Sequence, residues 1–235
     1  MHVLLKLTKI FLDGLYGKYM SIRFLKEYSP KSHERKEILR KIMNFVAGCK
    51  VEGDYLEFGV YKGSNFVEAV KMAEGKRLGS MKFFAFDSFE GLPTPQGIDK
   101  KFNQFYGGQV SNSLDSFRKI LSNSRIDLSR VEVVPGWFKD TLNAETKIKL
   151  ALKSTAVVWV DCDLYESTVP VLEFIADLVN DGTILVFDDW FFYKGRPDMG
   201  ERKAFTEWLK NNPQFSVTEF HKYYWHGNSF ILHKN

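Results

Sequence analysis

Acidic side chains follow two of the most apolar segments of the chain. Asp161 and Asp163 come after Val157–Val160, a β-branched run typical of a strand buried on both faces. Asp188 and Asp189 end a second run of this kind. Ligands of open α/β sheets bind just outside the carboxyl ends of the strands, so chemistry is expected at these positions. Because carboxylates held close together raise one another's pKa, a site that keeps several of them ionised needs a cation, and the pattern predicts a divalent metal ion.

The same aspartates also have a structural interpretation. Asp often caps the helix that follows a strand, and Asp161 and Asp188 both stand at such a position. Because both strands end in a pair of aspartates, a shared site is favoured over two separate helix caps. The spacing alone leaves both interpretations open.

A glycine-containing turn follows the first predicted strand, Tyr55–Gly59. The turn carries Tyr61, Gly63 and Ser64 and leads into a helix with an apolar face. Strand, turn and helix in this order form the general βα unit of nucleotide-binding proteins. The spacing is neither the G-x-G-x-x-G fingerprint nor a Walker A loop, which disfavours NAD and ATP. Glu57, an acid in an otherwise apolar strand, needs a polar ligand or a backbone partner, because burying an unpaired carboxylate is costly.

Asp87 ends the next predicted strand, Met81–Phe86, at roughly the 20-residue interval from Gly63 expected of a ribose-binding acid in Rossmann-like folds. Asp87 is equally suited to be a turn or cap residue, and both interpretations stay open. Trp137 follows a later strand, where its ring could flank a cofactor base or cover the sheet.

Two aromatic loops are predicted at the same edge. The first, Gly91–Val110, is rich in Gly, Pro, Gln and Asn and contains Phe102, Phe105 and Tyr106, and the second is Trp190–Met199. Long connections of this kind are often functional, so we expect the first loop to be a mobile lid or substrate loop held by its aromatic residues.

The order of the predicted elements positions these residues. Strands and helices alternate through most of the chain, and two final strands near Phe215–Phe220 and Ser229–His233 are joined by a polar turn. This order favours an α/β fold with a mostly parallel sheet, an antiparallel hairpin at its C-terminal edge and helices on both faces. We expect an N-terminal helical segment over residues 1–50 and the ligand-binding domain over residues 51–235.

Composition is that of an ordinary globular protein. The 235 residues suffice for one domain with a sizeable core, and 44% of them are hydrophobic. The net charge of +4, without a basic run interleaved with aromatic residues, gives no argument for nucleic acid. Cys49 and Cys162 are the two cysteines. So few cysteines disfavour a disulfide scaffold and predict a reducing, cytoplasmic location.

The N-terminal segment Met1–Leu25 is apolar but is interrupted by Lys6, Lys9 and Asp13. No run approaches the length of a membrane span or a signal sequence, so we expect no transmembrane segment. The apolar residues recur at helical spacing, which predicts an amphipathic helix packed on the domain or on a partner subunit of a homo-oligomer. Association with a membrane surface is the less favoured alternative.

Four motifs together resemble the macrocin O-methyltransferase family. In chain order they are Tyr55–Gly63, Phe86–Pro93, Val160–Thr168 and Phe187–Asp189. Four matches in the family's order and spacing are far more specific than any one of them. The resemblance implies a Rossmann-like class I methyltransferase fold with S-adenosylmethionine and Mg²⁺ as cofactors. It also implies methylation of a sugar hydroxyl group in a small-molecule or glycan acceptor, which could be a nucleotide sugar, a polysaccharide or a glycosylated natural product.

The resemblance and the turn pattern together give a set of candidate site residues. The positions expected to contact S-adenosylmethionine are Glu57, Gly59, Tyr61, Gly63, Ser64, Asp87, Ser88 and Trp137. By resemblance, the expected metal ligands are Asp161, Asp188 and Asp189, and Asp163 matches the catalytic general base. An alkyl hydroxyl is a poor nucleophile until a metal ion lowers its pKa and a base accepts its proton, so these two roles are complementary.

A second hypothesis is a metal-binding Rossmann-like scaffold without turnover. Four intact carboxylates at strand ends favour the enzyme, because a degenerate module need not keep them. His221 and His226 lie near the predicted hairpin and could act as bases, although structural roles are favoured for both.

Overall fold

The computed structural model describes residues 30–76, 78–102 and 104–235. The amphipathic helix predicted within Met1–Leu25 lies outside these ranges. In the described part of the chain, no helix is both long enough and apolar enough to cross a membrane.

Seven strands of the described chain form one sheet. In chain order they are β1 (Asp54–Phe58), β2 (Phe83–Asp87), β3 (Val131–Pro135), β4 (Thr155–Val160), β5 (Val179–Phe187), β6 (Phe215–Glu219) and β7 (Asn228–Lys234). Their order across the sheet is β3-β2-β1-β4-β5-β7-β6. The pairs among β1 to β5 are parallel, whereas β7 runs antiparallel to both β5 and β6. The predicted parallel sheet with an antiparallel C-terminal hairpin is confirmed.

Helices cover both faces of the sheet, as predicted. In chain order they are α1 (Pro30–Cys49), α2 (Ser64–Glu74), α3 (Leu114–Asn123), α4 (Phe138–Thr141), α5 (Ala144–Leu150), α6 (Tyr165–Ile175) and α7 (Gly200–Asn211). On one face α1, α2 and α3 contribute Ile42, Phe66 and Phe117 to one apolar cluster. On the other face α6 and α7 contribute Leu172 and Phe205 to a second cluster.

The four central strands β1, β2, β4 and β5 are mostly apolar because each of them faces both clusters. Tyr55 and Phe83 belong to the first cluster, whereas their neighbours Leu56 and Phe84 belong to the second. Successive side chains of a strand point to opposite faces, so a central strand needs apolar residues at every position. All six residues of β4 are buried. This packing fixes the strand ends and the acids that follow them.

The helix α1 is part of the same core. Its side chains Ile38, Leu39, Ile42, Met43 and Val46 recur on one face, and all five are buried in the first cluster. The division of the chain at residue 50 stays a prediction, but these residues pack on the sheet that follows.

The start of α6 at Tyr165 has a tertiary cause. The carboxylate of Asp99 accepts hydrogen bonds from the backbone N–H groups of Tyr165 at 3.0 Å and Glu166 at 3.1 Å. A distant loop therefore supplies the cap of this helix.

Candidate functional site

A cavity of about 890 Å³ opens at the carboxyl edge of the sheet. Its volume lies within the range of roughly 300–1,000 Å³ that is common for ligand pockets. Most of the predicted site residues line it, namely Glu57, Gly59, Tyr61, Ser64, Asp87, Ser88, Trp137, Asp161 and Asp163. Asp188 and Asp189 are buried behind its wall, and Gly63 does not line it either. The predicted residues therefore lie close together in two layers, one that lines the cavity and one that is buried behind it.

The turn after β1 depends on two glycines. Gly59 has a φ of +86°, and a Cβ atom there would lie 1.9 Å from the carbonyl oxygen of Asp161. Gly63 has a φ of +71°, and its Cβ would lie 2.6 Å from Cε2 of Phe117. Both backbone conformation and space exclude a larger residue. The helix α2 begins directly after this turn, and its first residue, Ser64, lines the cavity. The positive end of the helix dipole thus faces the ligand space.

Asp87, at the end of β2, forms hydrogen bonds with the backbone of the same turn. Its Oδ2 accepts hydrogen bonds from the backbone N–H groups of Val60 at 2.8 Å and Tyr61 at 3.1 Å. Its Oδ1 accepts one from Phe89 N–H at 2.7 Å. The turn role left open by the sequence is present in the structure. Since Asp87 also lines the cavity, ribose binding stays a prediction for the same carboxylate.

Glu57 borders the cavity, but only 1% of the residue is exposed. Its Oε2 accepts hydrogen bonds from the Tyr55 hydroxyl at 2.5 Å and from Nδ2 of Asn65 at 3.0 Å. Burial raises the pKa of Glu57 to about 8, and the charge of Asp161 adds to this effect while the hydrogen bonds oppose it. The polar partners that this acid requires are therefore two side chains.

The predicted aspartates gather where β4 and β5 end, and Glu201 from α7 joins them. The Glu201 carboxylate accepts hydrogen bonds from the backbone N–H groups of Asp189 at 2.9 Å and Cys162 at 3.4 Å, and so ties the two strand ends together. Burial raises the pKa of Asp189 and of Glu201 well above their ordinary values, and the charges of the neighbouring carboxylates add to this.

Asp163, the predicted general base, has an uncommon backbone conformation. Its φ is +62°, in the left-handed region. The hydroxyl of Tyr193 donates a hydrogen bond to the carbonyl oxygen of Asp163 at 3.2 Å. Residues other than glycine adopt this conformation at an energetic cost, and they cluster at functional sites. The strained residue lies on the wall of the cavity, as a base would require.

An arginine from α1 lies between two of the predicted metal ligands. Nη2 of Arg35 lies 2.7 Å from Oδ2 of Asp161 and also contacts Oδ2 of Asp188. Nε of Arg35 and the hydroxyl of Tyr223 both donate to Oδ1 of Asp188, each at 2.9 Å. Burial lowers the pKa of Arg35, but the charges of Asp161 and Asp188 outweigh it and raise that pKa well above its usual value. Asp188 is thus engaged in tertiary contacts, and not simply in capping a helix.

His226 lies beside the same acids. Its Nδ1 donates to the carbonyl oxygen of Asp188 and lies 3.8 Å and 3.9 Å from carboxylate oxygens of Asp188 and Asp189. Potential ligand atoms of these three buried residues lie within 4.8 Å of one another. His221, by contrast, lies on the edge hairpin, where its carbonyl oxygen accepts a hydrogen bond from the Ser229 hydroxyl at 2.7 Å.

The acid cluster fits a cation. Oδ2 of Asp189 is buried and has no hydrogen-bond partner among the described residues. An unpaired buried carboxylate oxygen beside further carboxylates suits a hard divalent ion, whose preferred ligands are oxygen atoms. The residues Asp161, Asp188 and Asp189 could supply such ligands, provided that Arg35 releases the first two.

The two aromatic loops meet beside the cavity. The ring of Phe105 lies 5.8 Å from that of Phe192 and 5.7 Å from that of Tyr193, measured between centroids. At the base of the first loop, Leu92 N–H donates to the carbonyl oxygen of Gln109 at 2.9 Å. The aromatic contacts expected of this loop are present, while its mobility stays a prediction.

The sequence analysis did not identify Arg35, Glu201 or Tyr223 as site residues. Arg35 stands in a charged stretch of a helix, and Glu201 begins a helix as acids commonly do. Tyr223 precedes the last strand without a distinguishing motif. Local pattern gives these three side chains no signal that separates them from surface residues.

Comparisons with known proteins agree with this geometry. Residues 27–211 match the Macrocin-O-methyltransferase (TylF) family. The chain is 30% identical over 164 residues to the 8-demethyl-8-(2,3-dimethoxy-alpha-L-rhamnosyl)-tetracenomycin-C 4'-O-methyltransferase of Streptomyces olivaceus, a match that covers 67% of this chain. It is 29% identical over 168 residues to the demethyldecarbamoylnovobiocin O-methyltransferase of Streptomyces niveus, again over 67% of this chain. The chain spans 60% of the length of each of these relatives.

A solved structure shares the fold. The O-methyltransferase NovP superposes with a TM-score of 0.73 at 23% sequence identity, and the match covers 86% of this chain and 80% of that one. The likeness confirms the predicted Rossmann-like methyltransferase sheet.

Proposed function

The chain belongs to the macrocin O-methyltransferase family, and we propose that it transfers a methyl group from S-adenosylmethionine to a sugar hydroxyl group, with Mg²⁺ as a second cofactor. The acceptor sugar would be part of a nucleotide sugar, a polysaccharide or a glycosylated natural product. The observation that carries the proposal is the convergence of the glycine turn and of Asp161 and Asp163 on one cavity. The Streptomyces olivaceus relative is named as a 4'-O-methyltransferase of a rhamnosyl compound, which supports a sugar acceptor.

The cofactor side of the cavity is the glycine turn. S-adenosylmethionine, when bound, supplies a methyl group on a positively charged sulfur. We assign its methionine end to Gly59, Ser64 and the N-terminus of α2, where backbone can approach closely. Asp87 stands at the adjacent strand end, where its carboxylate would accept hydrogen bonds from ribose, and Trp137 on the same wall would cover the adenine.

The acceptor side is the acid cluster. Asp163 would accept the proton of the acceptor hydroxyl group as the hydroxyl oxygen attacks the methyl carbon. The bond from that carbon to the sulfonium sulfur would break in the same step, with S-adenosylhomocysteine as the leaving group. A base of this kind contributes about 10²–10⁴-fold to a rate. A divalent ion on Asp161, Asp188 and Asp189 would lower the pKa of that hydroxyl group. The chain itself mainly aligns the two reactants, which is the larger task in a methyl transfer between bound molecules.

One observation favours a second candidate, a cofactor-binding module without turnover. The guanidinium of Arg35 already balances charge on Asp161 and Asp188, as a degenerate metal site would require. Asp189 favours the metal-dependent enzyme, because its buried Oδ2 has no hydrogen-bond partner among the described residues.

Two measurements separate these candidates. Calorimetric binding of S-adenosylhomocysteine tests the cofactor cavity without an acceptor. Transfer of a labelled methyl group to a panel of nucleotide sugars and rhamnosylated compounds, with Mg²⁺ or with a chelator, tests the reaction and its metal dependence. Binding of S-adenosylhomocysteine without transfer to any member of the panel would favour the second candidate.

Asp163→Asn tests the general base. The variant should lower turnover about 10²–10⁴-fold, because the amide cannot accept the proton. Binding of S-adenosylhomocysteine should be retained. Asp115→Asn, on the exposed first turn of α3, is the matched control and should keep both activities. Full turnover in Asp163→Asn would exclude Asp163 as the base.

A further inference from the structure

The Arg35 side chain forms hydrogen bonds with the carboxylate oxygens that a metal ion would use. One nitrogen, Nη2, contacts Oδ2 of both Asp161 and Asp188, and Nε completes a two-point contact with Asp188. The Asp188 side chain is 0% exposed, while that of Arg35 is 17% exposed and lines the cavity. The guanidinium therefore separates Asp188 from the ligand space.

The remaining acceptor capacity of Asp188 is also engaged. The Tyr223 hydroxyl donates to Oδ1, so both oxygens of this buried carboxylate already have cationic or hydrogen-bonding partners. A planar guanidinium matches a carboxylate more closely than any other side chain, and such contacts gain strength when water is excluded. A second cation cannot share these oxygens with the guanidinium at close range without strong like-charge repulsion.

We propose that Arg35 is an internal counter-ion that competes with the divalent cation for Asp161 and Asp188, so that cation binding requires the guanidinium to leave both carboxylates. This inference rests on the metal site of the proposed function. Arg35 is a positioning residue in this scheme, because it acts on the metal ligands and not on the reacting atoms.

The neighbouring acid offers the ion a carboxylate oxygen that no hydrogen bond from the described residues occupies. Oδ2 of Asp189 has no hydrogen-bond partner among the described residues and lies next to Asp188 in the chain. A cation held there would weaken the Arg35 contact through repulsion, and the displaced side chain has space in the cavity that it lines. The Arg35 contacts would thus hold Asp161 and Asp188 in place whenever no cation is bound, at the expense of metal affinity.

The test is direct measurement of Mn²⁺ binding, by calorimetry and by electron paramagnetic resonance, to chelator-treated protein. Arg35→Met keeps an unbranched apolar stem but removes the guanidinium group and its charge, so the variant should bind Mn²⁺ about tenfold more tightly than the wild type. Arg35→Lys keeps a charge but not the two-point contact, so it should fall between them. Arg40→Met on the same helix, whose arginine pairs with Glu37 on the exposed face, should match the wild type.

A stability measurement adds an independent readout. Without metal, Arg35→Met should unfold at a lower temperature than the wild type, because it leaves a buried carboxylate unpaired, and Mn²⁺ should restore more stability to the variant than to the wild type. Equal or weaker Mn²⁺ binding by Arg35→Met would overturn the competition while leaving the metal site intact. No Mn²⁺ binding by any variant would overturn both the competition and the metal site. Wild-type binding of S-adenosylhomocysteine then shows separately whether the cofactor assignment stands.

Discussion

Burial changes the chemistry of Glu57 more than its partners do. The carboxyl group lies inside the sheet between Tyr55 and Asn65, and its pKa rises from 4.5 to about 8. An unfolded chain releases this proton near pH 4.5, whereas the folded chain holds it until about pH 8. The folded state therefore binds the extra proton between these values, and its stability relative to the unfolded chain falls as the pH rises through this window.

Glu57→Gln should remove this pH dependence. Gln keeps the shape and the hydrogen-bonding oxygen but does not titrate. The free energy of unfolding of the wild type should fall relative to that of the variant by about 1.4 kcal/mol for each pH unit between 5 and 8. Denaturant unfolding at pH 5.5, 6.5 and 7.5 measures the difference. Parallel profiles for the two proteins would show that Glu57 keeps an ordinary pKa in the fold.

Single residues were predictable where their signal is local. Asp161 and Asp188 end apolar runs, and Gly59 follows one. Their positions at the strand ends could therefore be predicted from a few neighbouring residues. Arg35 could not, because it lies 153 positions from Asp188 and its role arises from packing of α1 on the sheet. The two-layer arrangement of the acids has the same origin, since burial behind an arginine leaves no mark on the sequence around Asp188.

A hydrogen-bonded contact joins the first aromatic loop to the start of α6. Asp99 is 0% exposed, and its carboxylate caps α6 through two backbone N–H groups. A carboxylate at a helix N-terminus also interacts favourably with the helix dipole. The loop was predictable from its composition, but this contact was not, because Asp99 and Tyr165 lie 66 positions apart.

Asp99→Ala should release the loop. Loss of a capping side chain costs about 0.5–2 kcal/mol of stability. Cleavage by trypsin under native conditions should accelerate at Lys100 and Lys101, which are exposed at the end of the short helix Gly97–Lys101 that contains Asp99. Mass spectrometry of the fragments measures the site and the rate. Asp127→Ala, which removes the cap of a separate exposed turn, is the control and should leave cleavage at these lysines unchanged. Equal rates in Asp99→Ala and the wild type would show that the contact does not hold the loop.

Both proposed ligands, S-adenosylmethionine and the divalent metal ion, would bind at one edge of the sheet. The alternation of strands and helices sufficed to predict this edge, because parallel strands all present their carboxyl ends on the same side. The strand order β3-β2-β1-β4-β5-β7-β6 then brings the glycine turn after β1 next to the acids after β4. The fold therefore explains why the cofactor residues and the predicted metal ligands meet, although 100 or so residues separate them along the chain.

A site built on four central strands should couple ligand binding to global unfolding. A ligand that binds the folded chain and not the unfolded one adds RT ln(1 + [L]/Kd), which is about 2.7 kcal/mol at a hundred times Kd. S-adenosylhomocysteine and Mn²⁺, each at that excess, should each raise the free energy of unfolding by this amount, and the two increments should add if the sites are independent. Denaturant unfolding with neither, one or both ligands gives the four values required. Asp189→Asn should lose most of the Mn²⁺ increment and keep that of S-adenosylhomocysteine, because Asp189 is a proposed metal ligand that does not line the cofactor cavity. A full Mn²⁺ increment in Asp189→Asn would place the ion elsewhere in the protein.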